Sequence, residues 1–110
     1  MGGVLLVLVA IALAATSPYA QAQAISAKAA DQLMDTYYCS GCHDLDRKVV
    51  GPAFRDVAKK YAGDANAPAT LALKVRRGGQ GVWGIVPMPA NEEIPETDLA
   101  ALISWILALR

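Results

Sequence analysis

Cys39-Ser40-Gly41-Cys42-His43 contains the chain's only two cysteines and its only histidine. Two thiols on one turn of backbone can add to the two vinyl groups of a haem while the adjacent imidazole reaches the iron. The order Cys-x-x-Cys-His is therefore the pattern of covalent c-type haem attachment. Two other readings of the cysteine pair need surroundings that are absent. A thioredoxin-like redox site would sit in a βαβ context, and a zinc site would draw on two more Cys or His ligands. With His43 as one axial ligand of an iron, the other position has no second histidine to take. Methionine, lysine or no protein ligand remain for it.

Outward from the motif the hydrophobic spacing is helical, without strand-like alternation bounded by turns. A first helix is predicted over Ser26 to Cys39, with Ser26 as N-cap and Ala30, Leu33, Met34 and Tyr37 on one face. A second should begin beside Pro52 and carry Phe54, Val57, Ala58 and Tyr61 before Gly63 stops it. A third is predicted from Pro68 to Arg77, with Leu71 and Val75 inward, Lys74, Arg76 and Arg77 at its carboxyl end, and Gly78-Gly79 beyond. The fourth, Pro95 to Leu109, has Glu96 and Asp98 in its first turn and a stripe of Leu99, Leu102, Ile103, Ile106 and Leu109.

Between the last two helices, Gly78 to Asn91 is rich in Gly and Pro yet holds Val82, Trp83, Ile85, Val86 and Met88. It reads as the one long structureless loop, and so as the place to look for function. Met88 lies in Val86-Pro87-Met88-Pro89, off any helical stripe, where two prolines restrict the backbone and would hold a thioether at low entropic cost. Met34, on the first helical face, reads as core filler.

The 110 residues are 55% hydrophobic and 18% charged, which suits one small globular domain. The apolar excess is uneven, because no side chain from Met1 to Ala27 is charged and Val4 to Ala15 is unbroken Val, Leu, Ile and Ala. A run below about 18 residues is too short for an anchor but matches the hydrophobic stretch of a secretory signal peptide. Ala20-Gln21-Ala22 and Ala22-Gln23-Ala24 offer small-x-small cleavage sites. Residues 1–22 are thus expected to be a signal peptide cut after Ala22 or Ala24, leaving residues 25–110 as a haem domain in the periplasm. The leader lacks the usual basic opening, and an earlier coding start would account for that. The competing reading is an uncleaved amino-terminal helix that tethers the domain.

Ten Lys+Arg balance ten Asp+Glu, which argues against nucleic acid as the partner. A mature chain of 86 or 88 residues buries only about 60% of its unfolded surface and needs a staple. A Cys39–Cys42 disulfide would close too short a loop to act as one. A haem inside the core would serve.

Val49-Val50-Gly51-Pro52-Ala53-Phe54, Gly79-Gln80-Gly81-Val82-Trp83-Gly84, Val86-Pro87-Met88-Pro89 with Asn91, and a final helix carrying Trp105 extend the pattern well beyond the attachment motif. With these pieces the mature chain resembles the small bacterial class I cytochromes c, soluble exported carriers of respiratory and denitrifying electron chains. The resemblance covers essentially the whole mature region. It implies an all-α, class I cytochrome c fold of about four helices around one covalently attached haem c. It further implies that Cys39 and Cys42 form thioethers, that His43 and Met88 ligate iron, and that the Pro52 carbonyl accepts the other imidazole N–H. Trp83 would donate its indole N–H to a haem propionate, Lys74 would stand where a basic residue does likewise, and Asn91 would lie near the methionine sulfur.

The implied function is one-electron transfer rather than enzyme catalysis. The expected partners are a donor of the quinol:cytochrome c oxidoreductase type and a nitrite reductase, oxidase or peroxidase-type acceptor. A monomer is expected, with membrane contact only through transient docking. The alternatives are a redox subunit of a larger complex, or an open-haem sensor or peroxidase if Met88 does not ligate. Two features depart from the family pattern. Glu92-Glu93-Ile94-Pro95 is about one residue longer than the usual connection, with Pro95 in place of a Ser or Asp helix start, and Tyr37-Tyr38 has no functional reading.

Overall fold

The computed structural model describes residues 1–15 and 22–110. Of the expected leader, Val4 to Ala15 forms no regular element and exposes its large apolar side chains. The cleavage site Ala20-Gln21-Ala22 falls largely outside the described residues. No helix among the described residues is long and apolar enough to cross a membrane.

Four helices follow in order: α1 (Ala27–Thr36), α2 (Phe54–Lys60), α3 (Ala67–Arg77) and α4 (Glu96–Leu107), with a short 3-10 turn at Cys39–Gly41. Ser26 caps α1, its Oγ accepting the Ala29 N–H at 3.1 Å, which satisfies one of the amide groups left free at a helix start. The predicted extension of α1 to Cys39 does not form. Tyr38 takes a left-handed backbone, φ 62°, which ends the helix and swings the chain into the cysteine turn. Pro68 sits in the first turn of α3, where its missing N–H costs nothing. Pro95 fills the N-cap position of α4 with extended φ and ψ and no side-chain cap, leaving Glu96 and Asp98 to favour the helix dipole.

The fourth helix organises the core because it is buried on two faces. Leu102 and Ile106, one turn apart, pack with Ala30, Met34, Phe54 and Val57, while Leu99 and Ile103 pack with Ala72 and Ile94. Ala100 and Ala101 of the same helix are buried as well. Tyr37 fastens the end of α1 to the start of α4, its hydroxyl donating to Asp98 Oδ2 at 2.8 Å. That bond, with a smaller contribution from burial, raises the Tyr37 pKa above its ordinary value, so the phenol stays a donor.

The Gly78 to Asn91 stretch corrects the expectation of a structureless loop. It holds an antiparallel hairpin, β1 (Gly79–Gly81) and β2 (Gly84–Met88), with Gly79 opposite Met88, Gly81 opposite Gly84 and a bulge between the two pairs. Both strands are exposed except at Met88, so no face is buried to imprint an alternation on the sequence.

The hairpin is tied to α3 at its base. Gly78 caps α3 at φ 67° and donates its N–H to the Lys74 carbonyl at 2.7 Å, and Asn91 N–H donates to the Val75 carbonyl at 2.8 Å. A Cβ at position 78 would collide with the Met88 carbonyl and the Ala90 nitrogen. Gly78→Ala therefore combines a left-handed backbone penalty with a backbone clash, and we expect a loss of about 2–4 kcal/mol in urea unfolding. A loss below about 0.5 kcal/mol would mean that the hairpin base moves freely against α3.

Candidate functional site

The cysteine turn is closed by Cys42 N–H and His43 N–H, which both donate to the Cys39 carbonyl at 3.1 and 3.0 Å. This puts Cys39 and Cys42 on a single turn, with His43 directly after it. The Cys42 carbonyl accepts from Val50 N–H at 3.2 Å and Gly51 N–H at 2.7 Å, folding the following loop back so that Pro52 reaches the imidazole. His43 Nδ1 lies 2.7 Å from the Pro52 carbonyl oxygen. A carbonyl can only accept, so Nδ1 is the donor, and in the neutral ring Nε2 is the nitrogen that holds the lone pair. Phe54 stacks on the ring with centroids 4.8 Å apart and planes 14° from parallel. Gly51 presses on the ring from another side, where any Cβ would collide with its atoms. The imidazole is thus held in one orientation and one tautomer.

Beside it opens a cavity of about 260 Å³. Cys42, His43, Pro52, Lys74, Trp83 and Met88 line it together with buried Ile103 and Ile106 of α4. Met88 is half-buried at the end of β2, framed by Pro87 and Pro89. The cavity walls also include Val50, Val57, Leu71, Val75 and Val86. An imidazole nitrogen, a thioether sulfur and a cysteine thiol therefore share one largely apolar chamber. That donor set fits a haem iron bounded by apolar walls and suits no hard oxygen-seeking cation.

Six of the residues singled out from the sequence, Cys42, His43, Pro52, Lys74, Trp83 and Met88, meet at this cavity. Two do not line it. Cys39 packs against the Met34–Phe54 cluster, where burial pushes its thiol above the usual value. Asn91 turns its side-chain amide to the Tyr37 carbonyl at 3.1 Å, joining the hairpin's exit to the chain just ahead of the motif.

Sequence reasoning passed over two residues near the site. Tyr37 had no role assigned, because its partners Asp98 and Asn91 are 61 and 54 positions away. Lys60 sets its ammonium 5.5 Å from the centre of the Trp83 ring. No local spacing signals either contact.

Residues 27–110 match the family model described as Cytochrome c. Cytochrome c-551 of Allochromatium vinosum is 52% identical over 71 residues, covering 64% of this chain and 76% of that protein. Cytochrome c-552 of Nitrosomonas europaea is 45% identical over 92 residues, covering 84% of this chain and 82% of its own. The crystal structure of wild-type Nitrosomonas europaea cytochrome c552 superposes with a TM-score of 0.69 at 44% identity, over 73% of this chain and 99% of that one. The class 1 cytochrome MtoD of Sideroxydans lithotrophicus gives 0.68 at 29% identity, over 77% and 97%. By the family match, these identities and the superposed fold, the chain belongs to the cytochrome c family as a small bacterial class I c-type cytochrome carrying one covalently attached haem c.

Proposed function

We propose that the protein is a soluble periplasmic one-electron carrier whose haem iron is held between His43 and Met88. The observation that carries this reading is the His43 ring itself, bonded through Nδ1 to the Pro52 carbonyl and lining, together with Met88, one cavity. When bound, the haem supplies a one-electron iron couple. Cys39 and Cys42 anchor it through thioethers. The Pro52 carbonyl fixes the imidazole and raises its basicity, as the outer partner of a ligating histidine does. With His43 and Met88 both holding the iron, no place would be left for a substrate, which favours a carrier over an enzyme. The soft sulfur of Met88 favours Fe(II) and the apolar walls act in the same direction, so the reading carries a high positive potential. Trp83 and Lys74, both on the cavity wall, are the proposed propionate donors. Asn91 acts on Met88 through the hairpin that it fastens to Tyr37 and Val75.

A carrier must dock briefly and release. Val49, Val50, Ile85 and Val86 are all exposed apolar side chains on the two segments that flank the cavity, Ile85 at 87% of its full surface. They are the proposed docking patch. Arg47 is paired with Asp44 at 2.9 Å, so Lys48 supplies the free rim charge, while Lys59 belongs to a separate cleft beside Leu109. The proposed partners are a quinol:cytochrome c oxidoreductase-type donor and a nitrite reductase, oxidase or peroxidase-type acceptor, met by a monomer. Export through residues 1–22 brings the chain to them.

The oxidised holoprotein should be low-spin with the weak red charge-transfer band of Met-ligated Fe(III). In Met88→Ala that band should vanish and the reduced protein should bind carbon monoxide. A wild type that already binds carbon monoxide rapidly would overturn the carrier reading in favour of an open iron. Lys48→Glu should slow reduction by an acidic redox partner about two- to tenfold at low salt and leave the spectrum unchanged, with the difference fading as salt rises. Equal rates at low salt would remove Lys48 from the docking surface. Intact mass of the exported protein should correspond to a chain starting at Gln23 or Ile25 plus one haem, whereas a retained leader would support a tethered redox module.

A further inference from the structure

The hairpin that carries Met88 is bonded to the body at its base, by Gly78 and Asn91, while its tip projects with mostly exposed side chains. Val82 is 46% exposed and Trp83 41%. One charged group from α2 reaches that tip. Lys60, the last residue of α2, holds its ammonium 5.5 Å from the Trp83 ring centroid, within the roughly 6 Å range in which a cation is drawn to the negative face of an indole. The same helix begins at Phe54, which stacks on His43. The contact thus joins α2, whose first residue packs on the imidazole, to the hairpin that bears Met88. A cation on the ring's face leaves the ring's edge, with its N–H, free to donate elsewhere.

We infer that Lys60 is a positioning residue that clasps the hairpin tip and fixes the Trp83 indole so that its N–H can hold a haem propionate. This rests on the propionate role proposed above for Trp83. Lys60 touches neither iron nor ligand, so its effect passes through the indole. Arginine would preserve it, since a guanidinium also binds aromatic faces, whereas a methionine of similar length would not. Lys59, its neighbour on α2, carries the same charge but faces the separate cleft, and provides the control.

The test is hydrogen exchange of the Trp83 indole N–H, followed by NMR in the reduced holoprotein. Lys60→Met should speed exchange about two- to fivefold, the range that corresponds to an exposed cation–π contact, and Lys60→Arg should restore the wild-type rate. Lys59→Met should leave it unchanged. A wild-type indole that exchanges as fast as free indole would overturn the propionate reading and the clasp with it. A protected wild-type indole with an unaltered rate in Lys60→Met would overturn the clasp alone. Equal acceleration in Lys59→Met and Lys60→Met would mean a general effect of net charge and would likewise remove the clasp.

Discussion

The hydrogen bond from His43 Nδ1 to the Pro52 carbonyl is the constraint around which the site is arranged. A free imidazole exchanges tautomers and rotates, and this bond limits both. Proline is suited to supply the acceptor, because its carbonyl is intact while its fixed φ limits where that carbonyl can point. The loop between the two residues is held in register by its own backbone. Cys42 O takes the amides of Val50 and Gly51, while Phe54 N–H and Arg55 N–H return to the Asp44 and Leu45 carbonyls at 3.0 and 3.1 Å. These bonds lead straight into α2, so the helix start and the ring orientation are one structure.

Around that constraint α4 supplies the rigid support. Its two buried faces join α1 and α2 in one cluster and α3 with Ile94 in another, and both Ile103 and Ile106 reach the cavity. The helices thus form a frame, and the chemistry-bearing residues lie on the segments between them. On those connecting segments Val49, Val50, Val82, Trp83, Ile85 and Val86 stay exposed.

Much of this was legible in the sequence because it depends on short separations. Cys39, Cys42 and His43 are adjacent, the helices announce themselves by apolar spacing, and Ser26, Gly78 and Pro68 act within one turn. Met88 stood out because its flanking prolines are next to it. The hairpin did not stand out, since both its faces are exposed and nothing buried forces a period of two. Tyr38 was also hidden, because a non-glycine residue with positive φ leaves no compositional mark. The Tyr37–Asp98 bond and the Lys60–Trp83 contact join residues far apart in the chain, and only the packed helices bring them together.

The two halves of the site differ in how much chain they must close. The contacts that orient His43 are local, with the Pro52 carbonyl 9 residues away. The Met88 side depends on the Asn91 to Tyr37 bond across 54 residues and on the Tyr37 to Asp98 bond across 61. Loop closure costs more entropy as the loop lengthens, and distant contacts form later than near ones. The attachment turn and its imidazole can therefore take shape while the rest of the chain is still open, and the thioether wall closes over a half that already exists. Spacing along the chain thus divides the site into a half closed by short loops and a half closed by long ones.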